Sequence, residues 1–302
     1  MNAFLTLIRR ELWEHRGLVW APLLTAALLV VVTFFGSRVG GVDINFDDDE
    51  SIFFADLAEN PAAQIQLFAV WTSSLMVPQL LVALLVIFFY LLDALYSERK
   101  DRSILFWKSL PVSDAATVGA KFMVAAFLMP IWVWALSLVS GLLIFLIVKV
   151  IVAGTPLAPL GVWHGSAWVL VQATLLQNLL IAALWYAPVA AWLLLISVFA
   201  KRSPFLWAVL PPLLLVILES VAFDSTRVLT FIGYRLSGFF QFMAGGFMRS
   251  DEDGPSLQSI AEAYSALSAT PLLASPSLWL GVLAAALLLA AVVRLRRWRD
   301  DA

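Results

Sequence analysis

Long apolar runs separated by short polar segments make up most of the chain. Six of these runs are long enough to cross a membrane as helices, because a spanning helix needs about 20 mostly apolar residues. They cover about residues 18–36, 71–92, 122–151, 168–199, 204–222 and 278–293. The pattern predicts an all-α polytopic membrane protein with six transmembrane helices, in which residues 1–302 form a single transmembrane domain.

The segment before the first run has the periodicity of an amphipathic helix. One side carries Phe4, Leu5, Ile8 and Leu12, and the other carries Arg9, Arg10, Glu11, Glu14 and His15. We expect residues 2–16 to form a helix that lies in the membrane interface, after which Gly17 lets the chain turn into the first span. The alternative is a plain juxtamembrane anchor that only sets topology.

The segment 223–277, between the fifth and sixth runs, raises the question of a seventh span. Residues 228–248 are apolar, but Arg235 lies among them and four glycines weaken a helix: Gly233, Gly238, Gly245 and Gly246. We therefore expect a re-entrant or interfacial element on the outer side of the membrane. A short helix should follow it, since Leu257, Ile260, Tyr264 and Leu267 share one helical face and Pro271 would end it.

Composition supports the membrane class and removes some chemistry. Hydrophobic residues make up 62% of the chain and charged residues only 13%, about half the usual share in soluble proteins. Cysteine is absent, so the chain has no disulfide, no thiolate metal site and no cysteine nucleophile.

The distribution of basic residues predicts the orientation of the spans. Fourteen of the 19 Lys and Arg residues lie in the N-terminal segment, in 93–121, in the Lys201–Arg202 turn and in the C-terminal tail. Basic loops stay in the cytoplasm, so six spans would leave both termini there. We expect a multi-pass protein of the plasma membrane, which in a bacterium is the inner membrane.

Motifs of common enzymes are absent from the sequence. It contains no Gly-x-x-x-x-Gly-Lys-Ser/Thr phosphate loop, so we do not expect this chain to hydrolyse ATP. The two histidines, His15 and His164, stand too far apart in sequence to suggest a metal site. No catalytic residue, metal or nucleic-acid partner is predicted.

Two polar residues inside spans are candidates for an intramembrane polar site, Glu219 in the fifth run and Gln79 in the second. A carboxylate within a membrane is a functional hypothesis by default. The alternative is that Glu219 lies at the outer interface and pairs with Lys149 or Arg227. The acidic residues of the loop 43–59 favour a solvated outer loop over a cation site.

The most informative polar segment is 98–114, between the second and third runs. It contains a Glu-Arg pair, a helix-like stretch Asp101–Leu110 and then Pro-Val-Ser, and Lys121 follows in the next run. This order resembles the permease subunits of ABC-2 type transporters, whose corresponding loop has the form Glu-x-x-x-x-Gly-Thr-x-x-x-Leu-x-x-x-Pro-Val-Ser … Lys. The matching residues here are Glu98, Ser103, Leu110, Pro111, Val112, Ser113 and Lys121. Arg102 and Ser103 stand where Gly-Thr is common, which suggests a subgroup.

The resemblance implies a function and partners. In that family the loop carries a coupling helix that docks on a separate ATP-binding subunit, so the chain would be the permease of an exporter with two ATP-binding subunits. A second permease copy, identical or related, and the lipid bilayer complete the expected partners; ATP and Mg²⁺ would bind in the ATPase, and this chain would bind no cofactor. The residues assigned to coupling are Glu98, Arg102, Ser103, Leu105, Phe106, Trp107 and Pro111, with Arg99, Lys100 and Lys108 setting register.

Three alternatives to this function stay open at the level of sequence. The segment 98–114 could be an amphipathic helix that lies on lipid, given its basic and aromatic residues. The whole chain could instead be a non-transporting membrane scaffold or sensor, or an intramembrane enzyme.

Overall fold

A computed structural model describes residues 3–39, 60–101, 112–155, 157–247 and 268–298. Over these residues the chain is helical between short connections and has no strand. The helices are α1 (Ala3–Glu14), α2 (Gly17–Val39), α3 (Pro61–Ser74), α4 (Met76–Asp93), α5 (Tyr96–Lys100), α6 (Asp114–Met123), α7 (Met129–Val152), α8 (Gly165–Phe199), α9 (Pro204–Phe223), α10 (Arg227–Phe247) and α11 (Pro276–Trp298).

Six helical stretches among the described residues are long and apolar enough to cross a membrane, which confirms the predicted number of spans by length and composition. They are Gly17–Gly36, Leu67–Lys100, Asp114–Val152, Gly165–Phe199, Pro204–Phe223 and Pro276–Trp298. The second stretch extends beyond the predicted 71–92 at both ends. As a result Glu98, which was predicted to begin a loop, lies in the short helix α5.

The third stretch consists of α6, a π-helical turn at Val124–Leu128 and α7 in direct succession. Ser113 begins it, because its Oγ accepts a hydrogen bond of 3.1 Å from the backbone N–H of Ala116 and caps α6. Pro130 follows the π turn by two residues. A proline cannot donate to the helical ladder and its ring crowds the preceding turn, so a wider turn at this position accommodates it.

The helix α8 is the centre of the bundle. It packs along α11 and also against α4 and α7. Half of the most apolar 18-residue stretch of α8 is buried, compared with 6% of the corresponding stretch of α9. Pro188 does not interrupt α8, which is helical from Gly165 to Phe199. The helix α9 therefore stands at the periphery with most of its apolar surface available to lipid or to another chain.

The largest buried apolar cluster lies near the ends of the helices that flank 102–111. It includes Leu91, Leu95, Val124, Leu194 and Val292, all at most 2% exposed, from α4 and the turn after it, from α8 and α11, and from the stretch around the π turn. Burying side chains of this size stabilises the fold by about 1.5–3 kcal/mol each. This cluster fixes the relative positions of the helix ends that carry the charged residues described below.

The segment predicted to be re-entrant contains one continuous helix, α10. Gly233 and Gly238, which were expected to weaken a helix here, both lie within it. Gly238 has a packing role, because a Cβ there would come within 3.2 Å of the Trp185 ring of α8. Whether α10 enters the membrane stays a prediction, and the short helix predicted over 257–267 lies outside the described residues.

Arg235 fastens α10 to two neighbouring helices. Its guanidinium lies 4.7 Å from the ring centroid of Trp185 in α8, and its Nη1 donates a hydrogen bond of 3.2 Å to the carbonyl of Ser277 in α11. The indole of Trp185 in turn donates to the carbonyl of Arg235 at 3.0 Å. Only 8% of Arg235 is exposed, and the guanidinium packs directly over Gly281, whose lack of a side chain makes the space.

We expect Gly281→Ala to destabilise the protein although alanine favours helix, because the added Cβ overlaps the Arg235 guanidinium and displaces it from Trp185. The expected loss is about 1–2 kcal/mol, the size of a buried cation–π contact, measured by thermal unfolding in detergent. Gly233→Ala is the matched control, since a Cβ there meets nothing within 4 Å. An unchanged unfolding temperature for Gly281→Ala would contradict this packing.

The predicted orientation can be tested with single cysteines, because the chain has none of its own. Ala158 and Ser203 are both exposed and lie at opposite ends of α8. Charge distribution predicts that a membrane-impermeant maleimide labels Ala158→Cys in intact cells and labels Ser203→Cys only after permeabilisation. The reverse result would invert the orientation, and labelling of both from one side would show that α8 does not span.

Candidate functional site: a buried ion cluster at the base of the 102–111 segment

A cluster of charged side chains, four of them buried and two partly buried, joins the N-terminal helix, the two chain segments that flank 102–111 and the C-terminal helix. We call it the basal ion cluster; its members are Arg10, Glu11, Glu98, Asp114, Lys121 and Arg296. It contains three cations and three carboxylates, so its formal charges balance.

Glu98 is at the centre of the cluster. Its Oε1 lies 2.9 Å from Nη2 of Arg10 and 3.1 Å from Nζ of Lys121, and its Oε2 lies 3.0 Å from Nη2 of Arg296. The residue is only 6% exposed. One carboxylate therefore connects α1, α5, α6 and α11, and it faces the interior of the protein.

Backbone contacts hold α5 so that Glu98 points into the cluster. The backbone N–H groups of Leu95 and Tyr96 donate to Oγ of Ser197 at 2.9 and 3.0 Å. Ser197 lies in the last turn of α8 and is fully buried. The start of α5 is thus attached to the end of the central helix, and its short length leaves little freedom for the Glu98 side chain.

Lys121 and Glu11 form the second centre of the cluster. The Lys121 ammonium lies 2.9 Å from each carboxylate oxygen of Glu11, and the Tyr90 hydroxyl donates to Oε2 of Glu11 at 3.0 Å. Lys121 is fully buried and Glu11 is 1% exposed. These contacts dock α1 on α6. They also correct the predicted faces of α1, since Glu11 is on its buried side.

Arg296 and Asp114 complete the connection to the C-terminal helix. Nη1 of Arg296 lies 3.6 Å from Oδ1 of Asp114, the first residue of α6, and Arg296 is 2% exposed. The last turn of α11 is therefore paired with both ends of 102–111, through Glu98 on one side and Asp114 on the other.

Buried charges of this kind depend on one another. Removing a charged group from water costs several kcal/mol, and the attraction of a close partner offsets that cost only when the hydrogen-bonding geometry is good. Loss of one partner leaves the others buried and uncompensated, which costs about 3–5 kcal/mol. The cluster therefore favours one arrangement of the four elements it joins.

Arg99 makes a second attachment at the same place. Its Nη2 donates hydrogen bonds of 2.8 Å to the carbonyls of Ser197 and Ala200, at the C-terminal end of α8. A cation there satisfies carbonyls that have no helical partner and complements the helix dipole. The role implied by the resemblance, setting the register of a docked partner, does not fit Arg99, because it is only 3% exposed.

The other residues predicted for coupling fall outside the described part of the chain. They are Arg102, Ser103, Leu105, Phe106, Trp107 and Pro111, and their contacts with a partner stay a prediction. Sequence reasoning found Glu98 and Lys121 through the loop motif. Sequence reasoning did not identify Glu11 and Arg296 as the partners of Lys121 and Glu98. The one available signal was that both are charged residues within one helical turn of apolar residues.

The two candidates for an intramembrane polar site, Glu219 and Gln79, each make hydrogen bonds with different partners. The carboxylate of Glu219 accepts hydrogen bonds from the backbone N–H groups of Arg227 and Val228, at 3.0 and 2.6 Å, and from Oγ of Ser225 at 2.9 Å. It thus caps the N-terminus of α10 and fixes the corner between α9 and α10. Its contact with Arg227 is to the backbone.

Gln79 joins two spans by a hydrogen bond. Its Nε2 donates to Oγ of Ser140 in α7 at 3.0 Å, and the residue is fully buried. Interhelical bonds of this type contribute about 1 kcal/mol in membranes. None of the hydrogen bonds among the described residues joins Gln79 to Glu219.

One group of side chains near the cluster has donor atoms close enough for a metal ion. Glu11, Glu14 and His15 each place one oxygen or nitrogen within 4.8 Å of the others. The carboxylates are already engaged: Glu11 holds Lys121, and Oε1 of Glu14 accepts from Nε of Arg10 at 2.8 Å. Burial lowers the pKa of His15, whose ring packs edge-on to Tyr90. A metal would have to displace Lys121, so we assign none.

Comparison with protein-family models, with curated proteins and with solved structures finds no match for this chain. The basal ion cluster and the pattern of spans are therefore the observations from which function has to be argued.

We expect Glu98→Gln to destabilise the protein by about 3–5 kcal/mol, because it leaves the buried Lys121 and Arg296 and the partly buried Arg10 without their shared carboxylate. Thermal unfolding of the full chain in detergent measures the effect. Glu14→Gln is the control: its carboxylate is 42% exposed, and an exposed pair of this kind is worth at most about 1 kcal/mol. Equal effects of the two substitutions would show that the cluster is not a structural centre.

Proposed function

We propose that this chain is the transmembrane permease subunit of an ATP-driven transporter of the ABC-2 type, and that it acts as an exporter. A separate ATP-binding subunit drives it through the 98–114 segment. The observation that carries the proposal is the basal ion cluster, which clamps both ends of that segment at the ends of two predicted spans.

Mechanical coupling requires that both ends of the 98–114 segment be held firmly, as the basal ion cluster holds them. A segment that passes force from a soluble partner to spans must have a stiff base, because a flexible base would absorb the movement. Here Glu98 on one side and Lys121 and Asp114 on the other are held against α1 and α11. Displacement of the segment would therefore move α4, α6 and the terminal helices together.

The chain supplies the membrane part of such a machine but no phosphate-binding loop of its own. We propose that ATP and Mg²⁺ bind in two partner subunits. The apolar side chains Leu105, Phe106 and Trp107 would anchor the segment in a groove of each partner, since aromatic residues often dominate binding energy at interfaces. Arg102 would fix the position of the segment in that groove by pairing with charges of the partner.

A groove beside the second and fifth spans is consistent with a path at that place. It has a volume of about 570 Å³ and is lined by Leu85 and Phe89 of α4, by Phe205 at the start of α9, and by Gly17 and Leu18 at the start of the first span. Binding sites for small molecules have volumes of about 300–1,000 Å³. The exposed apolar surface of α9 next to it is where we place a second permease copy.

The proposal predicts that Trp107→Ala weakens retention of an ATP-binding subunit by at least tenfold and removes ATPase stimulation, because an interface anchor contributes about 2 kcal/mol or more. Affinity-tagged chain is purified from native membranes, and the co-eluting proteins and their ATPase activity are measured. Trp20→Ala is the control, since Trp20 is exposed on the first span, far along the sequence from the loop.

Full retention of the ATPase and full stimulation with Trp107→Ala would contradict the assigned coupling role. Purified wild-type chain without any ATP-binding protein would contradict the transporter itself and favour a membrane scaffold or sensor.

A further inference from the structure

The helix α1 presents a basic and apolar face away from the body of the protein. Leu5 and Trp13 on this face are 60% and 67% exposed, and Arg9 is also exposed. Arg16, in the turn just after α1, is exposed as well. We call these four residues the outer face of α1.

The orientation of this face is fixed by the opposite side of the helix. Leu7 is 7% exposed and Glu11 is 1% exposed, and Glu11 is held by both contacts to Lys121. The helix cannot rotate about its axis without breaking this buried pair. These contacts therefore set the direction of the outer face relative to α6.

The outer face carries two positive charges and no carboxylate. The acidic residues of α1 are both used elsewhere, Glu11 by Lys121 and Glu14 by Arg10. The guanidinium of Arg9 lies 4.8 Å from the ring centroid of Trp13, so the charge sits directly above an aromatic surface. Arginine beside tryptophan suits a boundary where an anionic layer meets an apolar one.

The chain also places α1 at such a boundary. The first candidate span begins at Gly17, three residues after the end of α1, so the helix can only lie near the membrane surface. A helix in this position can place Leu5 and Trp13 where the acyl chains begin and the arginines at the phosphates.

We propose that the outer face of α1 binds anionic phospholipid, with Arg9 and Arg16 on the headgroup phosphates and Leu5 and Trp13 against the acyl boundary. Each basic residue near an anionic surface contributes about 1 kcal/mol, or about fivefold in affinity. This interaction does not depend on an ATP-binding partner, and it sets the height and tilt of α1, to which the basal ion cluster is attached.

The test uses full-length protein in neutral detergent micelles, titrated with phosphatidylglycerol or with phosphatidylcholine while thermal unfolding is followed. Phosphatidylglycerol should raise the unfolding midpoint more than phosphatidylcholine. In the Arg9→Gln/Arg16→Gln variant the concentration of phosphatidylglycerol needed for half the effect should rise at least tenfold. The matched control is Lys201→Gln/Arg202→Gln, which removes two exposed cations at another place and should keep the preference.

Equal effects of the two lipids on wild-type protein would overturn the proposal, and so would an unchanged preference in the Arg9/Arg16 variant. If that variant instead loses a co-purifying acidic protein while its lipid preference is kept, the face binds protein and the proposal is wrong. A nitroxide on Leu5→Cys gives a readout independent of stability: in anionic vesicles it should be more accessible to oxygen than to an aqueous nickel chelate.

Discussion

The carboxylate of Glu98 is the contact on which the arrangement of the chain ends depends. It binds Arg10, Lys121 and Arg296, which come from the first, middle and last parts of the sequence. Glu98, Lys121 and Arg296 are buried and Arg10 is partly buried, so the charges of this group depend on one another for compensation. The N-terminal helix, the base of the 102–111 segment and the C-terminal helix are therefore positioned as one unit.

That unit is attached to the central helix at one place. Arg99 and the start of α5 bind the last turn of α8 through Ser197 and Ala200. In the proposed transporter, force applied to the segment would reach α8 through these bonds and the terminal helices through Glu98. The outer face of α1, bound to lipid, would then oppose or guide the movement of the terminal helices.

The candidate spans could be predicted from the sequence, but most contacts of the basal ion cluster could not. Apolar run length predicted the six helices that are long and apolar enough to cross a membrane, because such helices satisfy their backbone polar groups within one segment. The loop motif pointed to Glu98 and Lys121, but their partners Glu11 and Arg296 are joined to them only by tertiary packing. The glycines of α10 argued against a continuous helix, but at Gly238 the missing side chain leaves room for the Trp185 ring.

A double-mutant cycle on Glu98 and Arg296 tests the central claim most directly. These residues are 198 positions apart in sequence and in contact at 3.0 Å. Unfolding free energies of Glu98→Gln, Arg296→Gln and the double variant, measured on the full chain in detergent, give the coupling energy. The account predicts a coupling of about 1–3 kcal/mol, as for buried groups in one network. Additivity within about 0.5 kcal/mol would contradict it, because the C-terminal helix would then not be held by its contact with Glu98.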